Sequence, residues 1–225
     1  MNTTIKKIGH PFKDQNVLVI GDFILDVHLN STPIGRIPKG NMPEVDFPIR
    51  HLCLGGSAQL ASYLQHNGAQ VCYMTVLGED QASQTAIQLL KEKGIPSICI
   101  HFTAASPTLI HTRLDQEEQQ AYPGDIIPKL HIDNSVMDSF LKDIEKAYFN
   151  CDILYISDYE KGTISKQVLR LLRQLQEKSR KTIVVDATNY DKYKHLSPVL
   201  IKTSDPLGFE WLGKKQLQPY VPLSS

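Results

Sequence analysis

The chain has 225 residues, enough for one sizeable domain, and its 24 Lys+Arg balance 24 Asp+Glu for a formal charge of zero. That balance argues against non-specific binding to nucleic acid or a membrane surface, and 41% hydrophobic against 21% charged residues argues against disorder. No apolar run approaches the roughly 20 residues that cross a bilayer, and MNTTIKKIGHPFKDQ lacks the apolar stretch of a secretory leader, so a cytoplasmic location is expected.

Short apolar runs alternate with helix-period segments. NVLVIGDF (16–23) reads as a buried strand ending in Gly-Asp. SAQLASYLQHNG (57–68) reads as a helix with Ala58, Ala61 and Leu64 on one stripe. QVCYMTVLG (70–78) is a strand, and Asp80 is the expected N-cap of a helix over 81–94. PSICIHF (96–102) is a further strand. A helix opens at Asp133 or Asn134 and runs to about Tyr148, followed by the strand CDILYISDY (151–159). Ser165 opens a helix whose Val168, Leu171, Leu172 and Leu175 share a face. TIVVDA (182–187) and PVLIKTS (198–204) complete the strands. Apolar strands alternating with helices imply an α/β fold, a parallel sheet covered on both faces.

Two stretches break this alternation. Residues 27–52 carry Pro33, Pro38, Pro43 and Pro48, and 108–125 is an extended polar ribbon, so both suit an antiparallel flap standing off the main sheet. The four cysteines (Cys53, Cys72, Cys99, Cys151) form no CxxC pair and are expected to be buried free thiols. The histidines show no metal-ligand spacing, so no metal site is expected from them.

Asp22, Asp26, Asp158, Asp186 and Asp205 fall at or beyond the C-terminal ends of strands, the edge where ligands bind in open parallel sheets. Each could equally be a turn former or helix cap. Gly55-Gly56-Ser57 precedes a helix, where bare backbone and free N–H groups admit a ligand, or simply make a tight turn. Lys161 follows the strand 151–158 and Arg113 lies in the flap; either reads alone as a solvated charge. No GxGxxG, Walker loop or GxSxG is present, which removes the dinucleotide-dehydrogenase and serine-hydrolase readings.

VLVIGDFILD, LGGSAQLASYLQHNGAQV, VLGED, SDYEKG and IVVDA, in this order and spacing, resemble the PfkB/ribokinase family of sugar kinases over roughly residues 15–213. SDYEKG and PTLIHTRLDQEEQQAYPGD further resemble the kinase domain of bacterial heptose-7-phosphate kinases of ADP-heptose synthesis. The resemblance implies a ribokinase-like parallel sheet with helices on both faces and a small β-lid over 28–52 and 108–125, all within one domain spanning 1–225. It implies phosphoryl transfer from ATP with Mg2+ to a sugar or sugar phosphate. Asp26 would hold sugar hydroxyls, Gly55 and Gly56 would admit the sugar, and Arg113 would reach an anionic group. Asp158 and Lys161 would lie near the phosphate path, with Asp186 and Asp205 on the phosphate and nucleotide side. The lid would pair two subunits into a homodimer.

The chain also departs from that pattern. Gln59 stands where the family has a sugar-binding Asn. Asp205-Pro206-Leu207-Gly208 replaces Asn-x-x-Glu, Ala187-Thr188 replaces a Pro-Lys pair, and His111 and Pro123 replace two basic lid residues. The Gly-Ala-Gly-Asp segment that supplies the family's catalytic base and anion hole is absent from these 225 residues. The expectation is therefore a C-terminally truncated kinase fold, inactive alone, whose apolar strands 182–187 and 199–204 are left partly bare. The alternative is a non-catalytic sugar-binding or subunit-pairing protein.

Overall fold

The computed structural model describes residues 12–30, 33–36, 43–45, 49–115, 128–196, 199–202 and 209–212. In chain order the strands are β1 (Asn16–Gly21), β2 (Phe23–Asn30), β3 (Pro33–Arg36), β4 (Pro43–Val45), β5 (Ile49–Gly56), β6 (Gln70–Gly78), β7 (Ile100–Thr103), β8 (Ile110–Asp115), β9 (Ile153–Asp158), β10 (Thr182–Ala187), β11 (Val199–Lys202) and β12 (Phe209–Leu212). The helices are α1 (Ser57–His66), α2 (Gln81–Glu92), α3 (Asn134–Asn150) and α4 (Lys166–Lys178), with a 3-10 helix at Asp191–Leu196.

Seven strands form the main sheet in the order β12-β11-β10-β9-β1-β6-β7. All pair in parallel except β12, which runs antiparallel to β11. The Val/Ile/Leu runs form its centre because both of their faces are covered. On one face Leu18, Ile20, Leu154, Ile156, Ile183 and Val185 pack under Phe140 and Ile144 of α3 and Val168, Leu172 and Leu175 of α4. On the other, Val17, Val19, Val71 and Tyr73 pack under Ala58, Ala61 and Leu64 of α1 and Ala86 and Leu90 of α2. Each such apolar side chain contributes about 1.5–3 kcal/mol on burial. Truncating fully buried Phe140 to Ala would cost roughly 3–5 kcal/mol.

Local chemistry sets the helix ends. Asp80 accepts a hydrogen bond from the Ser83 amide at 2.8 Å, closing a capping box at α2, and Ser165 accepts from the Val168 amide at 3.3 Å at α4. Both caps stand where the sequence placed them.

The sequence-based boundaries need three corrections. The strand expected over 96–102 begins only at Ile100, because Pro96 has no N–H for the ladder and residues 96–99 form a turn with Ile98 exposed. The run 16–23 is two strands: β1 ends at Gly21 and β2 enters a different sheet at Phe23, so the small sheet starts earlier than residue 27. The strands expected to be bare are covered: Ile183, Val185 and Val199 are fully buried, and Val184 and Leu200 are 8% exposed. Tyr193 and Leu196 of the 3-10 helix share the first of these faces with α4.

The second sheet has the order β5-β2-β8, with β2 antiparallel to β5 and parallel to β8; β3 and β4 form a separate hairpin. Phe23, Leu25 and Leu54 root the small sheet in the core, while Leu52 and Ile110 are exposed. Among the described residues no helix is long and apolar enough to cross a membrane.

Candidate functional site

From β1 the chain builds outward through β6 and β7, then returns to add β9, β10 and β11 on the other side. The strand order therefore reverses between β1 and β9, and ligands of open α/β sheets bind beyond the C-terminal ends at such a point. Asp22 follows β1 and Asp158 ends β9, so these two carboxylates flank it.

Asp22 is fully buried. Its carboxylate accepts the backbone N–H groups of Tyr159 (2.9 Å), Lys161 (3.0 Å) and Thr163 (3.0 Å), and its carbonyl accepts from the Ser57 amide at 2.9 Å. Burial pushes its pKa above the ordinary value, against the lowering effect of these backbone donors. Asp22 thus organises the SDYEKG turn and joins it to the start of α1.

Asp158 is 2% exposed. One carboxylate oxygen accepts the Glu160 amide at 2.8 Å; the other is bonded by the Tyr193 hydroxyl and the Lys192 ammonium. Lys192 also lies 3.6 Å from Glu160. Burial, then the charge of Asp158, pushes the Tyr193 hydroxyl pKa up. Sequence reasoning missed Lys192 and Tyr193. DKYKHL looks like an ordinary polar segment, and only the path of the chain after β10 returns it to the end of β9. Asp186 is half-buried in β10 in register with Ser157, which puts it beside Asp158 on the same rim, and the half-buried Lys161 follows on the turn.

The second part of the site is on the small sheet. Asp26 stands in register between Cys53 of β5 and His111 of β8, and His111 Nδ1 lies 3.2 Å from Asp26 Oδ1. The carboxylate of Asp26 covers Gly55: a Cβ there would be 2.5 Å from Asp26 Oδ2. Gly56 turns the chain into α1 at φ +54, with the Asp22 carbonyl 2.4 Å from where its Cβ would stand. Glycine is required here by both conformation and space. The Gly55-Gly56 turn therefore connects Asp26 to Asp22.

The structure brings Asp26, Gly55 and Gly56 together. The backbone of Arg113 pairs with His28, two residues along β8 from His111. Gln59 is exposed and lines a hollow with Tyr63, His66, Glu92 and Lys93, in which Asp26 takes no part. Asp205 and Pro123 lie outside the described residues. Among the described residues no group of three His, Cys, Asp or Glu side chains is arranged to hold a metal ion. The four cysteines are free, as expected, but only Cys151 is fully buried and Cys53 is exposed.

Among curated proteins, the Bifunctional protein HldE of Campylobacter fetus subsp. fetus is 27% identical over 199 residues, covering 86% of this chain and 43% of that protein. The Bifunctional protein HldE of Helicobacter pylori strain J99 is 28% identical over 185 residues, covering 81% and 40%. The chain thus spans about two fifths of the length of these relatives. Among solved structures, phosphofructokinase-2 of Escherichia coli with substrates and products superposes with a TM-score of 0.59 at 14% identity, covering 94% of this chain and 80% of that one. Ribokinase from Giardia lamblia gives 0.56 at 13% identity, covering 81% and 54%. These two likenesses carry the fold. Residues 14–216, most of the chain, match the sequence model described as pfkB family carbohydrate kinase, and the chain accordingly belongs to the pfkB family of carbohydrate kinases.

Proposed function

We propose that the chain binds a sugar phosphate against the Asp26 carboxylate where it rests on the Gly55-Gly56 turn, with a heptose 7-phosphate as the sugar, and that the reaction of this site is phosphoryl transfer from ATP to a sugar hydroxyl. The observation that carries the reading is the Asp26 carboxylate held over bare backbone at Gly55. A carboxylate accepts hydrogen bonds from adjacent hydroxyls, and the missing side chain at Gly55 is what leaves room for the carboxylate in this position. The likeness to the HldE proteins supports the choice of a heptose.

Arg113 would meet the sugar's phosphate, and Lys161, Asp158 and Asp186 would border the path of the transferred group. ATP, when bound, supplies the γ-phosphoryl group. The attacking hydroxyl must lose its proton, and a general base is worth about 10²–10⁴-fold. Asp158 is poorly placed for this, since it is 2% exposed and held by Lys192 and Tyr193. Mg2+, when bound with ATP, would offset the charge of its phosphates. We therefore propose binding without turnover for these 225 residues on their own. A second copy pairing through the small sheet would cover the exposed Leu52 and Ile110.

Titration calorimetry with heptose 7-phosphate and hexose phosphates tests the pocket. Binding that falls at least about tenfold in Asp26→Ala supports it, and binding unchanged by that substitution overturns it. An ADP-release assay with Mg-ATP tests the second half. Sugar-dependent release at about 1–10³ s⁻¹ would overturn the absence of turnover.

A further inference from the structure

At the opposite edge of the main sheet from Asp22 and Asp158, where β1 and β6 begin, a cavity of about 720 Å3 opens to solvent. Cys72, Cys99 and Cys151 all line it, alongside Asn16, Gln70 and Asp143. The thiols of Cys72 and Cys99 lie 3.5 Å apart, whereas the Cys151 thiol donates to the Tyr148 carbonyl at 3.2 Å. We propose that Cys72 and Cys99 are a modification site, forming a reversible disulfide with each other by exchange with a low-molecular-weight disulfide admitted through this cavity.

The geometry favours this pair. A disulfide needs its sulfurs at about 2.05 Å, so the two must close the remaining gap. Cys72 is held in the β6 ladder, in register with Leu18. Cys99 is not: it ends the turn over 96–99, beside Ile98 at 88% exposure, and the ladder to β6 begins only at Ile100. The movement falls on the side that breaks no sheet hydrogen bond. The bond would join β6 to the start of β7 across the crossover that contains α2.

The exchange balances in two steps. The Cys99 thiolate attacks one sulfur of the small disulfide, forming a mixed disulfide and releasing one small thiolate. The Cys72 thiolate then attacks the Cys99 sulfur, releasing the second. Two cysteine sulfurs are oxidised, the small disulfide is reduced to two thiols, and the two cysteine protons are taken up by the departing thiolates through solvent. The order follows from the surroundings of Cys72. Cys72 is fixed in the β6 ladder, and burial, then the neighbouring Cys99, raises its thiol pKa, whereas Cys99 lies outside the ladder beside the exposed Ile98 and is the first attacker. Once Cys99 is capped, Cys72, whose sulfur lies 3.5 Å from that of Cys99, is the resolving thiol.

The test uses the folded 225-residue chain carrying Cys53→Ser, so that the exposed thiol does not compete. It is incubated with glutathione disulfide, the remaining thiols are alkylated, and the peptides are mapped. The expected result is one cross-linked peptide pair joining Cys72 to Cys99, released by reductant, with Cys151 alkylated. In the same background Cys72→Ser stops at a glutathione adduct on Cys99, and Cys99→Ser leaves Cys72 alkylated. Full alkylation of both cysteines overturns the proposal, as does a stable adduct on Cys99 beside an intact Cys72, or a bond to Cys151. A statistical mixture of all pairings, the product of an unfolded chain, overturns it as well.

Discussion

The Asp26 carboxylate closes over Gly55 so tightly that a methyl group at residue 55 would lie 2.5 Å from Oδ2 and 2.9 Å from the Ile24 carbonyl. Gly55→Ala must therefore displace the side chain proposed to hold the sugar. The expected outcome is a loss of sugar-phosphate affinity of tenfold or more, about 1.4 kcal/mol, in a chain that still folds. Gly56→Ala is expected to be more destabilising, since it adds a positive φ to a clash with the backbone oxygen of Asp22. Calorimetry and thermal denaturation of the two variants check both statements, and wild-type affinity in Gly55→Ala would count against the pocket.

Asp22→Ala would leave three amides without an acceptor, that of Thr163 buried and those of Tyr159 and Lys161 partly buried. At about 1–3 kcal/mol each, the expected loss is at least ~3 kcal/mol, a large share of a typical stability of about 5–15 kcal/mol. Asp22→Asn keeps one carbonyl oxygen and is expected to cost less. The pKa of Asp22 is raised in the folded chain, chiefly by burial. Its contribution is therefore fully present below the unfolded value and declines as pH rises through the folded one. The stability gap between wild type and Asp22→Asn should narrow from about pH 4 to about pH 7. Urea unfolding at the two pH values measures it, and a widening gap would contradict the assignment.

Asp80 behaves in the opposite sense. It caps α2 through Ser83 and also accepts the amide (2.7 Å) and hydroxyl (2.8 Å) of Thr108. Its slight burial raises the pKa, but the hydrogen bonds from Thr108 and Ser83 outweigh this and lower it. Asp80→Ala is expected to cost about 1–2 kcal/mol at neutral pH for the cap. The lowered pKa places its stabilisation above the unfolded value, to be lost as pH falls through the folded one. The penalty of Asp80→Ala should therefore shrink below about pH 4. A penalty that is constant with pH would show that the carboxylate's charge is not what stabilises this corner.

Lys192 and Tyr193 make a third test. Lys192→Met leaves the Asp158 carboxylate buried without its cation, and breaking such a pair costs about 3–5 kcal/mol. Tyr193→Phe removes a hydrogen bond to a charged group, worth roughly 1.5–3 kcal/mol. Adding Asp158→Asn to Lys192→Met should recover most of the loss, because the uncompensated charge goes with it. Urea unfolding of the single and double variants decides, and no recovery in the double variant would mean that the ion pair is incidental.

Much of the architecture was legible in the residues. The apolar runs at 17–20, 154–156 and 183–185 mark strands covered on both faces, because only a doubly covered strand can bury consecutive apolar side chains. Asp80 and Ser165 mark helix starts, because a cap is a local interaction between a side chain and amides three residues on. The Gly55-Gly56 turn was legible for the same reason: bare backbone before a helix is a local demand on space and φ.

Only the tertiary structure decided what the carboxylates do. Asp22, Asp26 and Asp158 all read as aspartates at strand ends, yet one organises three amides, one stands in the middle of β2 and covers a glycine, and one is held by a lysine and a tyrosine from a helix more than 30 residues later. The same holds for the break at Asp22, where a run that reads as one strand divides between two sheets. It holds too for the meeting of Cys72 with Cys99 across a helical crossover. Hydrophobic period and capping depend on neighbours a few residues apart, so they are written in the sequence. A buried carboxylate takes its role from the donors that other elements bring to it, and those are set by how the strands are ordered in the sheet.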